Sequence, residues 1–264
     1  MVFSSLVRLH FQHVITYRAH FLLSLLSGPL YFSVQYFVWS ALLAGGAVAG
    51  FELQTIITYF VLAMLLQYWH FDYSDYDVQR FVREGTLNGI ILRPLTLHTW
   101  LFSKKIASRG LAVLLEVLPL SLFAMAIFGV SVLTPHGDLA AFAALLVIVF
   151  ILRFALAMLI GHAAFWMTNI HGLRMLMIPI FLFMAGSLFP LNILPLWAQH
   201  IAFWMPTQFF VYAPASVFLG NYALAGHTDV WSVVLLGIGW VVVIYLLLWL
   251  VQRRAQYKYE GVGQ

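Results

Sequence analysis

Apolar residues run along this chain in long stretches, and the polar positions fall between the stretches rather than alternating within them. A helix rises about 1.5 Å per residue, so roughly 20 apolar residues cross a hydrocarbon core about 30 Å thick. The pattern predicts six membrane spans, at about Phe21–Leu43, Thr55–Phe71, Leu111–Leu133, Leu139–Trp166, Met175–Phe189 and Val230–Val251. Ahead of them, Phe3, Val7, Phe11 and Val14 recur at helical spacing, with Ser5, Arg8 and Gln12 on another side. Residues 1–18 are therefore expected to form an amphipathic helix lying in the membrane interface. The first apolar run exceeds the roughly 7–15 residues of a cleavable signal, so the N-terminus is expected to be retained.

Two connections are longer than turns. In 72–110, Ser74 and Asp77 fit a capping box that opens a short helix, Gly85 ends it, and Pro94 stops the piece that follows. Thr96 or Thr99 can then cap a helix carrying Trp100, Lys104 and Lys105 into the third span. The stretch 190–229 is apolar, has no Lys or Arg, and is punctuated by Pro190, Pro195, Pro206 and Pro214. It is too short for two further crossings. It is read as short re-entrant helices in the outer leaflet, packed on the spans that shield their backbone. The fold class expected is an all-α integral membrane protein, with residues 1–264 forming one transmembrane domain.

Composition narrows this further. Of 264 residues, 63% are hydrophobic and 8% charged, against about 45–50% and about 25% in soluble domains. A self-contained soluble enzyme is excluded, as is a disordered chain. With no cysteine, disulfides and thiolate chemistry are excluded as well. The 13 Lys and Arg residues orient the spans. Twelve lie before span one, between spans two and three, between spans four and five, or after span six. The other connections carry none, so both termini are expected to be cytoplasmic.

No G-x-x-x-x-G-K-[ST], H-E-x-x-H or G-x-S-x-G motif occurs. Any nucleotide that powers this chain is thus bound by another. The ten histidines form no recognised ligand pattern, including His70 near Asp72, Asp75 and Asp77. No metal site is expected. Glu116 and Arg153 are the charges inside spans, each costing about 2.5–3.5 kcal/mol unpaired at a helix centre. They are candidates for an intramembrane polar pair, with separate snorkelling to the interface as the alternative.

The loop reads Val82-Arg83-Glu84-Gly85-Thr86-Leu87-Asn88-Gly89-Ile90-Ile91-Leu92-Arg93-Pro94. A glycine, a short amphipathic stretch and Leu-Arg-Pro after the second span resemble the type-2 permease subunits of ATP-binding-cassette transporters, in particular bacterial exporters. The run Gly186-Ser187-Leu188-Phe189-Pro190-Leu191, with Pro195 and Pro206 beyond it, is similar to that family's outer segment. Asn88 departs from the pattern, standing where many relatives carry an acid. The resemblance implies a multi-pass subunit of the bacterial cytoplasmic (inner) membrane, paired with an identical or related permease. Two ATPase subunits would bind ATP and Mg beneath it, with no cofactor in this chain and no nucleic-acid partner. Residues 72–110 would then hold a coupling helix. Its docking residues are expected to be Arg80, Arg83, Glu84, Gly85, Leu92, Arg93 and Pro94, though a basic loop drawn to anionic lipid headgroups would look similar. Two other functions stay open: an ion-gradient-driven secondary transporter, and a membrane-bound enzyme acting on lipid.

Overall fold

The computed structural model describes residues 2–16, 18–44, 52–87, 89, 96–130, 134–167 and 169–258. The chain is all-helical: among the described residues the only β-type pairing is an isolated bridge between Leu224 and His227. The order is α1 (Val2–Thr16), α2 (Arg18–Ala44), α3 (Leu53–His70), α4 (Ser74–Arg83), α5 (Leu97–Phe128), α6 (Leu139–His162), α7 (His171–Met184), α8 (Leu196–Trp204), α9 (Tyr212–Phe218) and α10 (Val230–Lys258). Among the described residues, α5, α6 and α10 are long and apolar enough to cross a membrane, and α7 is a shorter apolar helix.

Helix α5 begins at the expected cap and carries Trp100, Lys104 and Lys105 into the third span as one helix: it starts at Leu97, and the Thr96 side chain accepts the Thr99 N–H at 3.1 Å. The polar residues of its first half do not break it because each finds a partner. Ser103 donates to the Trp100 carbonyl at 2.7 Å, and the Lys105 Nζ donates to the Phe150 carbonyl at 2.8 Å. It ends at Phe128 rather than Leu133, because Gly129 turns left-handed at φ +63°. Within it, Val113–Val117 form one π-turn. Pro119 follows directly and has no N–H to give to Leu115, so the wider turn relieves a ladder that is already interrupted.

Helix α6 is the centre of the packing, touching α3, α4, α9 and α10 and burying Leu145, Val149, Leu152, Phe154 and Met158. Asp138 caps its start by accepting the N–H groups of Ala140 and Ala141. Helix α1 lies along α5. The side it buries carries Leu6 and His10, the latter edge-on to Trp100 at 4.8 Å, whereas Leu9 and Phe11 stay exposed. Contact with α5 thus takes the Leu6–His10 side, leaving Leu9 and Phe11 outward.

The stretch 190–229 forms Leu191–Ile193 (3-10), α8, Pro206–Phe210 (3-10) and α9. Pro190 and Pro195 precede the first two of these, and Pro206 opens the third. Proline suits such positions because helix-opening N–H groups have no partner to lose. Residues Thr207–Phe218 are buried throughout. Polar groups of this stretch are met by protein: Tyr212 N–H donates to the Ala185 carbonyl, and the Thr207 hydroxyl to that of Met184. The Gln199 side chain donates to the carbonyls of Asn192 and Leu194 and accepts from Ala225 N–H. Such closure is what irregular backbone requires away from water.

Candidate functional site

The charged side chains of residues 72–83 converge on three helices. The capping box expected from Ser74 and Asp77 is replaced by another arrangement. Ser74 is the first residue inside α4, and the Asp72 carboxylate accepts its N–H at 2.7 Å. Asp77 is one turn in, and faces outward to cations instead. It meets Lys104 at 2.6 Å and Arg80 at 3.2 Å.

Each acid of this segment holds a different connection. Asp72 meets Lys105 of α5 at 2.8 Å, both side chains being 2% exposed. The Lys105 ammonium also lies 4.5 Å from the centre of the Phe150 ring on α6. Asp75 accepts a hydrogen bond from Arg174 of α7, whose guanidinium sits over the rings of Tyr76 and Tyr73 at 4.1 and 5.2 Å. Gln79 donates to Asn169, just before α7, at 3.3 Å. On its apolar side α4 buries Val78 with Leu101 of α5, Phe154 and Met158 of α6, and Leu248 of α10. A Cβ on Gly161 would lie 2.9 Å from both Asp75 Cα and Val78 Cβ, so α4 sits directly on the α6 backbone.

Desolvation raises both buried carboxylates, and the balance decides each. For Asp75 burial wins, and its pKa is raised despite Arg174. For Asp72 the charge and hydrogen bond of Lys105, with those from Ser74, outweigh burial and hold the pKa below its ordinary value.

The opposite face of α4 is open. Arg80 has a side chain 53% exposed, and Arg83 and Glu84 are exposed too. Gly85, at φ +66°, reverses the chain after the helix. Arg80 and Arg83, with Tyr76, Gln79, Asn169 and His171, line a depression of about 390 Å³. Leu92, Arg93 and Pro94 lie outside the described residues.

Glu116 and Arg153 have different surroundings. Glu116 is buried in the π-turn, 19 residues or about 29 Å along α5 from Leu97. Its charge acts on Arg109, which donates to the Tyr68 carbonyl at 2.9 Å. Arg153 faces the rings of Phe181 and Phe210 at 5.0 and 5.4 Å, with Asp72 and Asp75 as its electrostatic partners.

Reading by sequence did not single out Lys105 or Arg174 as partners of the 72–77 acids. Lys105 is 33 positions from Asp72, and Arg174 is 99 from Asp75. The available signal was a run of three acids in an otherwise basic connection, which demands cations from elsewhere. A family model described as ABC-2 family transporter protein matches residues 30–263. No curated protein matches the chain.

Proposed function

Because this chain belongs to the ABC-2 family of transporter proteins, and so is a multi-pass permease component that works with ATP-binding-cassette ATPase subunits, we propose that α4 is the lever through which those ATPases drive export. One observation carries the reading. Helix α4 is anchored on one side to α5, α6 and α7, while Arg80, Arg83 and Glu84 are left open on the other. A lipid-binding loop needs the open basic face but not the anchors.

The mechanism follows from stiffness. Two ATPase subunits close on ATP and Mg and displace α4. The displacement passes through Asp72 into α5, through Asp75 into α7, and through Gly161 and Val78 into α6. Those helices move as packed bodies, since close-packed interfaces shift rather than deform. A second permease, identical or related, supplies the other half of the pathway, and the direction is outward from the cytoplasm across the bacterial inner membrane. The depression beside Arg80 and Arg83 receives a side chain of the ATPase.

The test is charge reversal at the open face. Arg83→Glu should leave the chain inserted and its ATPase active, while transport per ATP falls at least roughly tenfold, the scale of one lost charge-assisted contact. Wild-type transport per ATP in that variant removes this face from the mechanism.

A further inference from the structure

A second feature lies deeper, on the other side of the α4 anchors. The end of α3, Arg153 in the body of α6, helix α7 and the end of the Pro206–Phe210 turn line a cleft of about 330 Å³. That is near the lower end of the roughly 300–1,000 Å³ typical of small-ligand sites. Its wall from α7 is apolar, formed by Met175, Ile178, Phe181 and Leu182. Its floor carries Arg153, Arg174 and His70.

The charges around it do not cancel. Lys105 is matched by Asp72, Arg174 by Asp75, and Arg109 feels Glu116. Arg153 is the remaining cation, since Asp72 and Asp75 act on it only from beyond contact while each touches another base. Among the described residues no carboxylate lies within 4.0 Å of it, and its buried Nε has no hydrogen-bond partner. What it has instead are two aromatic rings, Phe181 and Phe210, one on each neighbouring element. His70 is 7% exposed, and neither of its ring nitrogens has a partner. A cation and an unused imidazole, side by side under an apolar wall, are costly to hold empty. An anionic group relieves both, because a guanidinium donates bidentately to phosphate or carboxylate and an imidazole adds one N–H.

We propose that this cleft binds an anionic amphiphile, with Arg153 and His70 on its headgroup and the α7 wall along the start of its tail. This names the chemical class of cargo or resident lipid for the transporter inferred above, and rests on that reading. The volume fits a headgroup and the first part of a chain, so the remainder extends along α7.

The probe is decyl phosphate, titrated calorimetrically into the full-length chain with its co-purifying subunits in phosphatidylcholine nanodiscs. Decyl phosphate should bind at least tenfold more tightly than decyltrimethylammonium, which has the same tail, and than inorganic phosphate, which has the same head. Arg153→Gln should weaken it at least tenfold, and Arg153→Lys less. Ile178→Trp fills the cleft without touching a charge and should abolish binding, which keeps the test decisive if Arg153→Gln does not fold. Replacing part of the phosphatidylcholine with phosphatidylglycerol separates the sources: competition identifies a resident lipid, and its absence a free amphiphile. Equal affinity for the two decyl probes, or unchanged affinity in Arg153→Gln or Ile178→Trp, overturns the proposal. Weak binding with an ATPase still attached counts against the cleft alone. Selective binding without any ATPase counts against the coupling reading.

Discussion

At the scale of single residues, the Asp72–Lys105 pair is the most consequential contact, because both side chains are almost fully buried. Removing one member of such a pair leaves an unmatched buried charge and costs about 3–5 kcal/mol. Lys105→Met should therefore destabilise strongly, and Asp72→Asn/Lys105→Met should recover most of the loss; unfolding of both variants in the same detergent measures this. The pH dependence has a defined sign. Asp72 titrates below its ordinary value, so its stabilisation is present above that value and is lost as pH falls through the lowered one. Asp75 titrates above its ordinary value, so its contribution is present at low pH and is lost as pH rises through the raised one. Asp72→Asn should thus flatten the acid limb of the stability curve, and an unchanged acid limb would contradict the assignment. The acids and cations were legible in the sequence as a charged segment. Their pairing was not, since no spacing rule joins Asp72 to Lys105 or Asp75 to Arg174. The cap was misread for a related reason: Ser74 is a good cap by type, but the carboxylate two positions earlier reaches its N–H better.

At the scale of elements, helical periodicity and apolar runs made the all-helical character plain, while boundaries followed local partners. The helix expected to carry Trp100, Lys104 and Lys105 into the third span does so from Thr96. Burial of Lys105 against Asp72 and Phe150 is what lets this polar half run on into the apolar one. Two glycines hold elements close. Gly161→Ala should push α4 off α6, costing about 1–3 kcal/mol by overpacking. Transport should fall further than ATP hydrolysis, as measured in reconstituted vesicles. At Gly186, φ is +81° and a Cβ would lie 2.7 Å from the Tyr59 hydroxyl, which donates to the Gly186 carbonyl. Gly186→Ala should therefore lower the melting temperature through both strain and a displaced Tyr59, whereas an unchanged melting temperature would show that this corner is loose.

At the scale of the whole molecule, composition excluded soluble classes, and the loop and outer segment carried the resemblance to type-2 permeases. The family match over residues 30–263 agrees with that reading. What a single chain cannot display is its partners, because they are recognised by surfaces left open rather than by contacts made. The claim at the centre of this account is that α4 is where the ATPase pushes. The chain has no cysteine, so one introduced thiol reports one place. Arg83→Cys, alkylated with a short maleimide–benzophenone and irradiated in native membranes, should insert into a C–H bond of a nucleotide-binding chain, with a yield that changes when ATP is added. Trp197→Cys, exposed in α8 on the outer segment, should give no such product. A nucleotide-binding chain captured equally from both positions, or from neither, would contradict the account.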